Sequence, residues 1–183
     1  MFRREKPGRT GFRGDYADRS DFCQLFEREM QSFYLLSFLL TANHELAEQV
    51  FALTLEQALK EQSVFKDWAR SWIKHSLIKN AIGIVSPASA SNGGERELWS
   101  AGQPATAGEE EINAVTLLPP LQRFVFVMSI LERYSLWGCS VLLGCGVQKV
   151  ARSRIRSLRG LPGPAKFLPR SETSVPYLVE ALT

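Results

Sequence analysis

The feature that most constrains this chain is the stretch from Leu117 to Arg159. There an apolar helical repeat, a glycine-punctuated turn and a cationic helical repeat follow one another. The stretch opens LPPLQRFVFVMSILERYS, from Leu118 to Ser135. Pro119 and Pro120 suit the first turn of a helix, where backbone N–H groups have no intrahelical acceptor. Phe124, Val127, Met128 and Leu131 then recur at the spacing that lines one helix face. Ser135 caps a second, short helix that runs to about Leu143, and Gly144-Cys145-Gly146 reads as a tight turn. A third helix, VQKVARSRIRSLR, follows from Val147 to Arg159. Val147, Val150, Ala151, Ile155 and Leu158 form its apolar stripe. Lys149, Arg152, Arg156 and Arg159 step along a different face. Such a helix, behind a short helix and a glycine turn, meets the requirements of a helix-turn-helix: it packs by its apolar side and offers cations to phosphates or base edges. Gln148, Lys149, Arg152, Ser153, Arg156 and Arg159 are its candidate DNA contacts.

Charge distribution supports a polyanion partner. A net charge of +3 over 183 residues says little, but its spread is uneven. Met1 to Gly14 holds five basic residues against one acid, and Asp15 to Val64 holds nine acids against three basic residues. Between Glu132 and Glu172 stand eight Lys or Arg and no Asp or Glu, whereas ordinary surfaces mix the two signs. A plain helical hairpin with a solvated basic face is the competing reading.

Apolar residues make up 45% of the chain, enough to pack one domain or two small ones. The pattern predicts an all-α protein of two small helical domains joined by a flexible linker. Residues 1–19, glycine-rich and aperiodic, read as a disordered tail. Residues 20–85 read as a three-helix domain. Ser20 or Asp21 caps its first helix, and Phe22, Phe26, Met30, Phe33 and Leu40 share a broad apolar face. Thr41-Ala42-Asn43 breaks that helix, and Asn43 caps a second that runs to about Lys60. The second helix buries Ala47, Val50, Phe51, Leu55, Ala58 and Leu59, and turns Glu45, Glu48 and Glu56 outward. A third, from about Val64 to Val85, places Phe65, Trp68, Ala69, Trp72, Ile73 and Leu77 inside, with Lys66, Arg70 and Lys74 as a cationic stripe. Residues 86–108, rich in Pro, Gly, Ser and Ala, read as a linker whose one apolar island is Leu98-Trp99. Residues 109–160 form the second domain, opened by Glu109-Glu110-Glu111, and residues 161–183 form a tail.

The chain carries no P-loop, GxGxxG, GxSxG or HExxH motif, and neither His44 nor His75 has a nucleophile at motif spacing. An enzyme is therefore not expected, nor a cofactor. Cys23, Cys139 and Cys145 make no CxxC pair, so buried thiols, no metal site and a reducing, cytoplasmic compartment are expected. No apolar run reaches the ~18 residues of a membrane span.

Taken together, these residues resemble a bacterial RNA polymerase sigma factor of the short, extracytoplasmic-function (ECF) type. LPPLQRFVFVMSILERYS followed by LLGCGVQKVARSRIRSL is similar to the family's region four, which has Leu-Pro, an Arg, an apolar helix, Leu-Gly and a Val-containing recognition helix. FKDWARSWIKHSLI, from Phe65 to Ile78, resembles the Phe-x-x-Trp-Leu pattern of region two. The likeness spans about two thirds of the chain. It implies that the first domain binds core RNA polymerase through the acids of the second helix, Glu45, Glu48 and Glu56. It also implies that Lys66, Arg70 and Lys74 meet promoter DNA at the minus-ten element, that the second domain binds the minus-thirty-five element, and that an anti-sigma factor is among the partners the family admits. Cations interleaved with aromatics from Phe65 to Lys79 suit single strands, although Trp68 and Trp72 read first as core.

Departures keep a second reading open. LAEQVFAL, from Leu46 to Leu53, stands where the family has an acidic signature, and only Glu48 keeps its charge. His75 stands where Asn is frequent, Gly138 where Glu is usual, and Gly146 where a capping Ser or Thr is common. The alternative is a degenerate sigma-like regulator that binds DNA or a protein partner without recruiting polymerase.

Overall fold

A computed structural model describes residues 16–61, 63–89 and 107–161, with 107–109 by backbone alone. Most of the expected N-terminal tail, the interior of the expected linker with Leu98-Trp99, and all of the expected C-terminal tail but Leu161 lie outside the described residues. The described chain is all-helical, joined to one isolated bridge between Tyr16 and Phe65.

Helix α1 (Arg19–Thr41) begins at Asp18 rather than at Ser20 or Asp21. The Asp18 carboxylate accepts from the Asp21 N–H, and the Asp21 carboxylate accepts from the Asp18 N–H, each at 2.9 Å. This reciprocal cap satisfies two otherwise orphan donors. That backbone bond and Lys66 hold the Asp21 carboxyl below its usual range. Phe22, Phe26, Phe33, Leu36 and Leu40 are buried, but Met30 is 56% exposed. The cause lies next door. Glu29 leaves helical geometry (φ −115°, ψ 17°), and the break shifts the phase of the face that Phe26 and Phe33 share. Ala42 ends α1 in the left-handed region, and Asn43 caps α2 (His44–Lys60) by accepting from the Leu46 N–H at 3.0 Å. Helix α3 (Lys66–Val85) closes the first group, burying Ala69, Ile73, Leu77 and Ala81.

The second group begins with α4 (Ala107–Thr116) and α5 (Pro120–Phe126), with Pro120 at the first helical position. The helix expected to run to Ser135 widens instead into a π-helical segment, Val127–Leu131, where the Glu132 N–H reaches back to the Val127 carbonyl. Arg133 then takes a left-handed backbone (φ 58°) and ends the run. Ser135 caps α6 (Leu136–Leu143), Gly144 closes it at φ 60°, and α7 (Val147–Gly160) follows. Gly144 carries no Cβ to clash in that left-handed turn, which sets the angle at which α7 leaves α6.

Both groups bury their apolar faces in one core. Phe22, Phe33, Leu40 and Ile73 from the first join Phe124, Val125, Phe126, Met128 and Val150 from the second, with Leu161 buried at the edge. Arg123 fastens the join. The residue is 6% exposed, and its guanidinium donates to the carbonyls of Leu40, Thr41, Thr116 and Leu118 at 3.0–3.2 Å. Leu40 and Thr41 lie in the last turn of α1, and Thr116 ends α4. The cation thus meets carbonyl ends that lack intrahelical donors and carry partial negative charge. Burial pushes the Arg123 pKa down to about 10, which still leaves it charged at neutral pH. No helix among the described residues is long and apolar enough to cross a membrane.

Candidate nucleic-acid interface

Helix α7 packs chiefly against α5 and α6. It buries Val150, Ser153 and Ser157, and exposes Gln148, Lys149, Arg152, Ile155, Arg156 and Arg159. At ~100° per residue the exposed six fall within an arc of about 120°, so they form one outward strip. Among the described residues no ion pair engages Arg152, Arg156 or Arg159. The strip is therefore an uncompensated positive face of the kind a phosphate backbone attracts. Lys149 lies at its edge and donates to the Ala88 carbonyl at 3.3 Å.

Ser153 does not belong to this surface. It is 6% exposed and faces the core, so it is removed from the candidate DNA contacts. The helix is rolled relative to the stripe its apolar residues predict. Val147 and Ile155 stand 41% and 46% exposed while two serines are inside. Small side chains let α7 approach its neighbours closely, and Ser157 Oγ donates to the Arg154 carbonyl at 2.8 Å, so burial leaves that hydroxyl satisfied. The roll places Ile155 among the cations of the exposed strip.

The α3 stripe has a different environment. Lys66 pairs with Asp21 at 3.1 Å, Arg70 with Glu29 at 2.6 Å, and Lys74 Nζ donates to both carboxylate oxygens of Glu132 at 2.8 Å. Trp68, expected inside, is 66% exposed. It stands one residue off the Ala69–Ile73–Leu77 line, hence about 100° around the helix. Phe65 lies edge-on to it at 5.4 Å and stacks on Tyr16 at 4.5 Å. Trp72 is half-buried against Phe22. An exposed indole edge-on to Phe65, which is itself stacked on Tyr16, with Lys66 and Arg70 nearby on the helix, has the parts of a base-stacking platform. The spacing that marked Ala69, Ile73 and Leu77 as core was the signal that excluded Trp68.

On α2, Glu45, Glu48 and Glu56 are all exposed. Lys60 sits 2.5 Å from Glu56 and lowers its pKa. Leu53 is 43% exposed between them, so this surface is apolar as well as acidic. Trp137 and Val141 of α6, at 70% and 57% exposure, were not foreseen as surface residues. A helix with no charged residue offers no polar face by which to orient it from sequence.

No protein-family model matches the chain, and no curated protein matches it.

Proposed function

We propose that this chain is a promoter-specificity factor of bacterial RNA polymerase, of the ECF sigma type. In this reading residues 20–85 act as its region two and residues 109–160 as its region four. The observation that carries the reading is the α6–Gly144–α7 unit, whose outward strip of Gln148, Lys149, Arg152, Ile155, Arg156 and Arg159 has no acidic residue among it. That strip suits the major groove of the minus-thirty-five element, with the arginines on phosphates and Gln148 and Ile155 toward base edges. Trp68, Lys66 and Arg70 suit the melted minus-ten strand. Glu45, Glu48 and Glu56, with Leu53 among them, are the surface offered to core polymerase.

One observation favours the second reading, a sigma-like regulator that binds DNA without recruiting polymerase. The α2 surface is weakly acidic, because Glu56 is already paired with Lys60 and Leu46 and Leu53 replace polar positions. Co-purification of the full chain with core polymerase, followed by transcription from DNA it binds, separates the two. Association and promoter-dependent transcript support the sigma factor. Duplex binding with neither association nor transcript supports the regulator, and failure to bind DNA overturns both.

A further inference from the structure

Helix α7 turns two uncharged side chains furthest outward. Its buried residues are Val150, Ser153 and Ser157, and at ~100° per residue they fall within an arc of about 60°. The direction opposite that arc passes between Gln148 and Ile155, which lie about 20° apart around the helix. Both are exposed, Ile155 at 46%. They form the apex of α7, the line that stands furthest from α5 and α6. Lys149, Arg152, Arg156 and Arg159 all fall to one side of that line, and Ala151 and Leu158 fall to the other. Entering a groove from this body, the helix leads with Gln148 and Ile155, and its cations meet phosphates along one flank.

The two apex side chains make different demands on a base. The Gln148 amide holds an acceptor and a donor side by side, which match the N6 amino group and N7 of adenine. Ile155 holds neither. Set against a polar base edge, it would strip water from donors and acceptors and leave them unpaired. Of the four bases only thymine presents a methyl group in the major groove, at C5. Gln148 and Ile155 stand about 10 Å apart along the axis at ~1.5 Å per residue, against ~3.4 Å per base pair, so they address different pairs.

We infer that Gln148 and Ile155, rather than the arginines, set the sequence preference of α7: Gln148 for adenine, and Ile155 for a pyrimidine that carries a C5 methyl. The inference rests on the promoter-binding reading for the duplex and on the geometry of α7 for the two readers. Ile155 recognises the methyl and not the hydrogen-bonding edge. A cytosine methylated at C5 is therefore bound more tightly than plain cytosine at the same place, which makes duplex binding sensitive to that modification.

The test uses the full chain, alone and with core polymerase, with core polymerase alone as the blank. A duplex is selected from a library with a randomised window. It is then remade with deoxyuridine for thymidine at one position at a time, which removes only the methyl. At one position the wild-type chain should lose about fourfold in affinity, the worth of one buried methyl-sized group. Ile155→Ala should bind the thymine and uracil duplexes alike. With guanine opposite, 5-methylcytosine at that position should bind about fourfold tighter than cytosine, for wild type only. Gln148→Ala should lose about tenfold of preference at an adenine in a different pair and keep the methyl effect. Both side chains are exposed, so circular dichroism melts of the two variants should match wild type. A selected duplex that binds equally with uracil at every position, or a methyl effect that persists in Ile155→Ala, overturns the role of Ile155 and leaves the promoter-binding reading standing. An unchanged adenine preference in Gln148→Ala overturns the role of Gln148. If no duplex is enriched with or without polymerase, the promoter-binding reading fails and the inference falls with it.

Discussion

Helices α3 and α7 each present a row of cations, yet the two rows are electrostatically unlike. On α3 every cation of the stripe has a carboxylate partner: Lys66 with Asp21, Arg70 with Glu29 and Lys74 with Glu132. On α7, Arg152, Arg156 and Arg159 meet no acid among the described residues, and Lys149 meets only a carbonyl. The difference follows from where the acids lie in the chain. Asp21, Glu29 and Glu132 pack around α3, whereas the sequence holds no acid between Glu132 and Glu172. A stripe of lysines and arginines read from spacing alone is therefore not a charged surface; its neighbours decide. In the proposed reading the same difference divides the work: the α7 strip would offer net charge to a duplex, and α3 an exposed ring, Trp68, among neutralised cations.

Arg123 tests whether the two rows belong to one body. Arg123→Met removes the donor from four carbonyls at the join, and is expected to lower stability by about 3 kcal/mol or more. Chemical denaturation followed by both far-ultraviolet circular dichroism and tryptophan fluorescence should show a single transition at lower denaturant. Two separated transitions, with the first unchanged, would mean that the groups do not share a core.

Trp68→Ala sharpens the contrast in ligand. Loss of a stacking ring should weaken single-strand binding by roughly 1–3 kcal/mol, about fivefold to a hundredfold, and leave duplex affinity unmoved. The indole is mostly exposed, so the melting temperature should change little. Equal losses for both strands would assign Trp68 a structural role.

Gly144→Ala acts on the α7 side. At φ 60° a Cβ is strained although no atom lies within 4 Å of it, so the change is expected to cost about 1 kcal/mol. Duplex affinity should fall with it, because the turn aims α7, while single-strand binding by α3 stays. A neutral melt with intact duplex binding would show that the turn tolerates a side chain.

The smallest expected effect is a pH dependence confined to the α3 side. Burial, and then the charge of Lys79, lower the His75 pKa below its ordinary value of 6.5. As pH falls through 6.5, the unfolded chain takes up the proton before the folded chain does. The stability contributed by neutral His75 is thus present above pH 6.5 and is lost as pH falls toward the folded value. Melting temperatures between pH 7.5 and 5.5 should decline in wild type and flatten in His75→Asn. The shifts at Asp21 and Glu56 are downward carboxyl shifts and act at lower pH. A decline of equal slope in both proteins would exclude His75.

Much of this fold was legible because helix ends are local. Asn43, Ser135 and Gly144 terminate or begin helices through bonds to residues at most four positions away, and they do so in the structure. What was illegible is tertiary. Arg123 reads as one charge in an apolar helix, but its acceptors at Leu40 and Thr41 lie 83 and 82 residues upstream. Met30 fits the α1 apolar period until Glu29 breaks it. On α7 the spacing put the cations on one exposed face and Val150 inside, while the rest of the buried side differs. Ser153 and Ser157 inside, and Ile155 outside, follow from how closely α5 and α6 approach, which a hydrophobic period does not encode.

The most direct test of the contrast between the rows is the salt dependence of duplex binding. Four cations on phosphates give a slope of log K against log salt near −3.6, at about −0.9 per contact. Replacing Arg156 by Ala should reduce that slope by about one unit, and replacing Lys149, Arg152, Arg156 and Arg159 together by Gln should bring it close to zero. Replacing Arg70 by Ala should leave it unchanged, since Glu29 already neutralises that cation. A slope that survives the fourfold α7 change, or that falls equally with Arg70→Ala, would contradict the assignment of the duplex to α7.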